Sequence, residues 1–266
     1  MGTLFLVATP IGNLEDITFR AVRILREAAL IAAEDTRTTR VLLDRYEITT
    51  PTTSYHEHTS ASRTDAILSA LETGDVALVS DAGTPGINDP GYELVVAAIA
   101  RGHAVSPIPG ACAAIAALAA SGLPTDQFTF AGFAPRKKSG LSAWVAGLRN
   151  EQRTTLVYES PHRIEETLKA LAAAFPGRPL CIAREITKRF EAFWRGTCAG
   201  AVAHLEAQPP RGEYVLVIGG AVEPEVTAWE LGEVEAALRE RLKTGYSGRD
   251  AAAEVANLSG WPRRDV

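Results

Sequence analysis

The chain reads as an α/β protein: two α/β domains with a cleft between them, followed by a small helical C-terminal extension. Three observations predict this. Short β-rich apolar runs alternate with longer helical stretches, the rhythm of a largely parallel sheet with crossover helices. That rhythm is interrupted once, at "SGLPTDQ" (Ser121–Gln127), and then restarts. From Thr227 onward the sequence is helical and polar. The expected division is therefore a first α/β domain over 1–120, a linker over 121–127, a second over 128–222 and a tail over 227–266.

In the first domain, "TLFLVAT" (Thr3–Thr9), "LIAAED" (Leu30–Asp35), "VALVSDAG" (Val76–Gly83) and "AVSPIPG" (Ala104–Gly110) read as buried strands ending in turn residues. The first of them is apolar but has no basic leader or cleavage site, so it reads as a strand rather than a signal peptide. Helices are expected over Phe19–Ala29, Arg63–Glu72, Tyr92–Arg101 and the Ala-rich Cys112–Ala120. Asp89-Pro90-Gly91 precedes the Tyr92 helix and Gly102 follows it, as a start and a stop should.

The second domain is expected to use strands at Phe128–Ala134, Thr154–Ser160, Pro179–Glu185, Arg189–Thr197 and Glu213–Ala221. Two of these are separated only by Ile186-Thr187-Lys188, too short for a crossover helix, so this sheet must be mixed or antiparallel on one side. In the tail, "SGRDAAAEVANLSGWPRRDV" reads as a Ser-capped helix, a Gly turn and a Pro-started second helix, a helix-turn-helix-like unit within which the sequence ends.

Composition narrows the function classes. With 27 basic and 32 acidic residues the net charge is −5, which excludes a generally basic nucleic-acid-binding domain. A polyanion would have to meet local patches: Arg136-Lys137-Lys138 is the densest, then Arg184 with Lys188 and Arg189, then Arg263-Arg264. Each alone is also what solvated surface looks like. No apolar run approaches the roughly 20 residues that cross a bilayer, so no membrane partner is expected. Cys112, Cys181 and Cys198 form no CxxC pair, which suits free thiols in a reducing cytoplasm.

Three loops at strand C-terminal ends are rich in small residues: "TPIGNLED" (Thr9–Asp16), "DAGTPGINDPG" (Asp81–Gly91) and "PIPGACAA" (Pro107–Ala114). Any one could be a plain turn. Together, at the edge where open α/β sheets bind ligands, they point to a small molecule lying against bare backbone. None is a P-loop, and none is a GxGxxG opening a helix. An adenosine-type ligand without phosphates fits better, with Asp81 as acceptor and Gly83 and Gly110 leaving room for a ring.

The ordered motifs "LFLVATPIGNLEDITFRAVRIL", "IAAEDTRTT", "YHEH", "VSDAGTPGINDPGYELV", "PIPGACAAIAALAASGLPTDQFTFAGFAPRK", "TLVYESPHRI" and "AREITKRFE" cover Thr3 to Ala221 and resemble the tetrapyrrole methylase superfamily. Within it they are most similar to its bacterial branch that methylates a cytidine ribose 2′-hydroxyl in the decoding centre of 16S rRNA. The resemblance implies the two-domain fold, S-adenosylmethionine bound between the domains, a homodimer, and 16S rRNA, in the 30S subunit, as partner. It puts the methyl donor against Pro10, Ile11 and Gly12, against Asp81, Ala82, Gly83 and Thr84, against Pro109, Gly110, Ala111 and Cys112, and against Phe133 and Tyr158. The sequence departs from the family pattern at Gly86 and Asn88, where a larger apolar residue and Ser are expected.

Methylating a sugar hydroxyl requires in-line placement and an acceptor for its proton. Candidates for the proton are Glu159, Glu185, Lys188, His56 and His58, with Glu185 and Lys188 preferred as catalytic residues at a break between second-domain strands. A lysine serves as base only where burial lowers its pKa. Glu185 and Lys188 could equally be a strand-end ion pair, His162 and Arg163 a helix start, and "HEH" lacks a third metal ligand, so no metal is expected. Arg37 and Arg40 in "EDTRTTR", with Arg136, Lys137 and Lys138, are expected to hold RNA phosphates at the cleft mouth while the target nucleotide is drawn out. Two other functions remain open at this level: methylation of a corrin or porphyrin precursor, and non-catalytic binding to ribosomes.

Overall fold

The computed structural model describes residues 2–56, 59–221 and 229–266. Contacts divide the chain into two compact units, Met1–Gly220 and Ala221–Val266. The first holds two five-stranded sheets.

The first sheet contains β1 (Thr3–Val7), β2 (Leu30–Ala33), β3 (Thr52–Ser54), β4 (Val76–Val79) and β5 (Ala104–Ile108), in the order β3-β2-β4-β1-β5 with every pairing parallel. Helices cover both faces, so the central strand β4, "VALV", is buried at all four positions. On one face α1 (Phe19–Glu27) and α2 (Thr36–Arg45) bury Leu25 and Leu43 against Val7, Ile31 and Val79. On the other, α3 (Ala61–Thr73) and α4 (Tyr92–Ala100) bury Leu68, Leu71 and Leu94 against Leu4, Ala32 and Leu78. The chain leaves β2 toward β3 and β4 toward β5, so the connections diverge between β2 and β4, and the loops after the adjacent strands β4, β1 and β5 leave the same sheet edge. A crevice at the strand C-terminal ends follows from that divergence.

The second sheet contains β6 (Phe128–Phe133), β7 (Thr154–Glu159), β8 (Pro179–Arg184), β9 (Ala192–Thr197) and β10 (Tyr214–Ile218), in the order β6-β7-β10-β8-β9. Only β6 and β7 run parallel, and the other three pairings are antiparallel, the mixed sheet expected from the short 186–188 connection. Strand alternation divides β8 between two cores: Leu180 and Ile182 face α6 (Lys138–Gly147), α7 (Ile164–Ala174) and α8 (Cys198–Ala207), while Cys181 and Ala183 face the other way. That second face is covered by α5 (Ala113–Ser121), whose Ala114, Ala117 and Leu118 pack on Leu156, Cys181 and Val217.

The position of α5 corrects the expected boundary. The first domain was to end at residue 120, yet its last helix belongs by packing to the second sheet, because the small Ala114 and Ala117 together with Leu118 lie on the apolar face of β7, β8 and β10. Two smaller differences concern β3, which was not anticipated, and the tail. There α9 (Leu231–Lys243) and α10 (Gly248–Ser259) pack through Val234, Ala237 and Val255. Ser247 caps α10 and Gly260 ends it in the left-handed conformation, as expected. The residues after Gly260 form a turn closed by Asp265 N–H to the Pro262 carbonyl instead of a second helix. The expected start of the tail at Thr227 lies outside the described residues.

Candidate active site

The three small-residue loops meet beside that crevice, at the C-terminal ends of the adjacent strands β4, β1 and β5. Thr9 and Gly83 exchange reciprocal backbone hydrogen bonds, 2.8 and 3.0 Å, joining the loop after β1 to the loop after β4. Thr84 donates its hydroxyl to the Ala111 carbonyl at 3.1 Å, joining the second loop to the third. Gly83 sits at φ +86°, where a side chain is strained, and its missing Cβ would lie 3.4 Å from Ile11.

Opposite these loops stands the end of the second sheet. Tyr158 of β7 places its hydroxyl under the α5 N-terminus, accepting from Ala114 N–H at 3.2 Å, and packs edge-on against Phe130 and Phe133. Burial above all pushes its phenol up to about 12, so it stays neutral. Between the two sides lies a cavity of about 420 Å³ lined by Ile11, Ala82, Gly83, Thr84, Cys112, Phe133 and Tyr158, and also by Ile87, Asp89, Glu159, Lys188 and Glu213. That volume is within the roughly 300–1,000 Å³ of small-molecule sites.

Lys188 is held by two carboxylates: its Nζ lies 3.0 Å from Glu185 Oε1 and 2.8 Å from Glu213 Oε2. Glu185 also accepts the Glu213 backbone N–H at 3.0 Å. Burial acts to lower the Lys188 pKa, but hydrogen bonds to Glu213 and Glu185 outweigh it and the net shift is upward. Burial likewise acts to raise Glu185, and the Glu213 N–H and the Lys188 ammonium reverse it. The condition for a lysine base is therefore not met. Lys188 is an ammonium, and Glu185, which does not line the cavity, positions it.

Residues 3–201 match the Tetrapyrrole (Corrin/Porphyrin) Methylases. The chain belongs to the tetrapyrrole methylase family. Among similar curated proteins, one from Halalkalibacterium halodurans is 46% identical over 100% of this chain and 93% of its own length, and one from Synechocystis is 47% identical over 100% and 96%. Both are named ribosomal RNA small subunit methyltransferase I. Solved structures share the fold at low identity. A diphthine synthase gives a TM-score of 0.64 at 13% identity, covering 84% of this chain and 92% of its own. A uroporphyrin-III C-methyltransferase from Thermus thermophilus gives 0.58 at 21%, covering 82% and 94%.

In this tetrapyrrole methylase several residues expected at the methyl donor belong to the loops around the cavity without lining it, and Gly12, Asp81, Pro109 and Gly110 among them are exposed. Pro10, Gly12, Asp81, Pro109, Gly110 and Ala111 do not line it. A Cβ on Gly110 would meet the Ala8 Cβ at 2.8 Å, so glycine here accommodates that neighbouring methyl group. Gly12 gives way to the Lys188 stem, with Lys188 Cγ 2.4 Å from where its Cβ would be. Asp81 is exposed and accepts the Asp35 backbone N–H at 3.1 Å, tying β4 to the start of α2.

Asp89 was expected only as a turn and helix cap, but Gly91 is the N-cap of α4, and Asp89 lines the cavity. Its pKa is raised to about 6, first by burial and then, against the Ser80 hydrogen bond, by Glu34 and Asp81. Of the three carboxylates on the cavity wall, Glu213 is paired with Lys188 and Glu159 with Arg163, and among the described residues Asp89 has no ion pair. Glu159 is spent on structure, accepting from Ser160 N–H and from the Thr167 hydroxyl at 2.6 Å. Among the proton candidates, His56 is described but does not line the cavity, and His58 lies outside the described residues.

The basic residues differ in how free they are. Arg37 is paired with Asp35 at 2.6 Å and Arg40 with Asp44 at 2.7 Å. Arg136, Lys137 and Lys138 are exposed, three to five residues past Phe133. Their loop is anchored by Arg163, which donates to the carbonyls of Ala134 and Pro135. Among the described residues no group of three His, Cys, Asp or Glu is placed to hold a metal, and no helix is long and apolar enough to cross a membrane.

Proposed function

We propose that the chain is an S-adenosylmethionine-dependent rRNA methyltransferase that methylates the 2′-hydroxyl of a cytidine ribose in the decoding centre of 16S rRNA, on the 30S subunit. The names of its relatives support the rRNA substrate. The observation that carries the chemistry is the cavity itself, where a bare-backbone turn faces an ammonium, a neutral phenol and an unpaired carboxylate.

The residues present suit the methyl donor. Ile11, Ile87 and Phe133 offer an apolar wall, and Asp89 with the Tyr158 ring offers the negative potential a sulfonium prefers. When bound, S-adenosylmethionine supplies an electrophilic methyl group. Cavity-lining Ala82, Gly83, Thr84 and Cys112 hold it, and Pro10, Gly12, Asp81, Pro109, Gly110 and Ala111 shape the loops that do so.

Lys188, held charged by Glu185 and Glu213, donates a hydrogen bond to the ribose and fixes the attacking oxygen. Placement of this kind contributes about 7–11 kcal/mol when complete. Asp89 accepts the hydroxyl proton, because its pKa of about 6 leaves it ionised at neutral pH yet basic enough to serve. Arg136, Lys137 and Lys138 take phosphates, with Arg37 and Arg40 contributing after exchange of their carboxylate partners. The enzyme acts in the cytoplasm as a homodimer, for which α4 offers an apolar strip of exposed Tyr92, Val96 and Ile99.

The test is incubation of the purified protein with labelled S-adenosylmethionine and 30S subunits, followed by mass mapping of 16S rRNA. A single methyl on one cytidine, with the adjoining phosphodiester resistant to alkali, is expected. A methyl on the base, or transfer to precorrins and none to rRNA, would overturn the reading.

A further inference from the structure

We propose that the chain has a second binding site, for one unpaired base of the RNA strand, in the recess where β8, β9 and α8 bring Arg184, Trp194 and His204 together. It rests on the reading of rRNA as substrate. The recess measures about 170 Å³, well under the ~300 Å³ at which drug-sized ligands are enclosed, which suits a single heterocycle.

Three observations assign the ligand chemistry. Arg184 has its Nε buried without a hydrogen-bond partner, and no carboxylate pairs with its guanidinium among the described residues. An unpaired buried donor is a standing penalty that an incoming acceptor removes. Trp194 and His204 are stacked, ring centroids 5.2 Å apart and planes 15° apart, and both line the recess. The indole lies directly over Gly196, where a Cβ would meet it at 2.6 Å. Burial, followed by the charge of Arg184, lowers the His204 pKa, so its ring is neutral at neutral pH and stacks without repelling Arg184.

A planar cationic fork beside an aromatic pair matches the acceptor edge and π-face of a base. A lone phosphate would satisfy Arg184 but leave the aromatic pair without a role. The location connects the recess to the chemistry. Arg184 is paired in register with Tyr214, which lines both cavities, and the next residues, Glu185 and Glu213, are the ones that hold Lys188. A strand whose cytidine enters the main cavity can thus place a neighbouring base in the recess, which sets the position of the ribose along the strand.

The test labels the full chain with 5-fluorotryptophan, assigns the Trp194 resonance through W194F, and titrates with a single-stranded RNA decamer. A saturable shift of the Trp194 signal is expected, weakened about tenfold in R184Q and nearly as much in R184K, which keeps the charge but loses the fork. Inorganic phosphate at the same concentrations should leave the signal in place. On 30S subunits, R184Q should raise KM for the RNA about tenfold at unchanged kcat and unchanged KM for S-adenosylmethionine, with circular dichroism confirming the fold. A Trp194 signal that ignores RNA, one that phosphate alone moves, or an unchanged KM in R184Q would overturn the site. Should the wild type methylate no rRNA, the functional reading falls, while the decamer titration still judges the recess.

Discussion

Gly12→Ala tests whether Lys188 is positioned or merely present. A methyl group on residue 12 would lie 2.4 Å from Lys188 Cγ, 3.0 Å from its Cε and 3.1 Å from Thr187 Oγ1. Ordinary carbon contacts are about 3.5–4.0 Å, so the two must separate by about 1 Å or more. The loop bearing Gly12 is tied by the Thr9–Gly83 pair and by Tyr46, whose hydroxyl donates to the Leu14 carbonyl at 2.7 Å. The lysine stem therefore moves, drawing Nζ away from Glu185 and Glu213. A misplacement of about 1 Å costs on the order of 10²-fold in rate, or about 2.7 kcal/mol of activation free energy. Methyl transfer to 30S subunits should show kcat down about 100-fold, with S-adenosylmethionine affinity by calorimetry changed by less than about threefold. Lys188→Ala should lose a similar amount, and the double variant little more, since both remove one function. Wild-type kcat in Gly12→Ala, or losses that add in the double variant, would refute the reasoning.

Asp89→Asn tests the proton acceptor: kcat/KM of the wild type should fall as pH drops through about 6, where the carboxylate protonates, and the variant should be slow and flat across that range. Stability should move the other way. The folded pKa lies above the reference 3.8, so the contribution is fully present below 3.8 and is lost as pH rises through about 6, and urea titrations should find Asp89→Asn more stable than the wild type at pH 7 but not at pH 4. Gly83→Val forces a β-branched residue to φ +86° with its Cβ 3.4 Å from Ile11, and calorimetry should detect no S-adenosylmethionine binding. Asp81→Ala removes the acceptor for Asp35 N–H, worth about 1 kcal/mol, and a charge near Asp89, so affinity should fall less than tenfold. Replacing Arg136, Lys137 and Lys138 together should weaken rRNA binding and flatten its salt dependence by up to about 2–3 in log–log slope, at about 0.7–0.9 per lost phosphate contact. An unchanged slope removes that loop from the RNA surface.

Most strand positions were readable because the strand carries its own signal, a short apolar or β-rich run set between turn or polar residues. β3 was missed since three residues, Thr52–Ser54, are too few to show alternation. The allegiance of α5 was hidden for a different reason. Its composition says only that it is buried, and which sheet it covers depends on where the chain turns at Gly122, which takes the left-handed conformation. Side-chain chemistry was least legible. Lys188 is kept charged by one carboxylate three residues away and another twenty-five away, and the second arrives through the antiparallel register of β8 with β10. Asp89 sits in a stretch whose turn residues fully account for it as a turn. Nothing in "INDPG" separates a capping acid from one aimed into a cavity.

The backbone at the 185–188 turn shows why the lysine matters. Glu185 and Thr187 adopt φ of 51° and 66°, a region that costs a non-glycine residue about 1–3 kcal/mol. Specific bonds hold the turn there: Glu185 N–H to the Glu213 carbonyl, Lys188 N–H to the Glu185 carbonyl, and Thr187 N–H to Glu191 Oε2 at 2.6 Å. A turn merely joining β8 to β9 needs neither strained residue, and glycine would remove the strain. What the strained form achieves is to carry Lys188 back over the strand ends, between two carboxylates and against Gly12, into the wall of the cavity. The same carboxylates that aim the ammonium also raise its pKa, so aiming it and deprotonating it are incompatible within this arrangement. Under the proposed function the proton acceptor is then a different group, and among the described residues lining the cavity Asp89 is the carboxylate without a cation beside it.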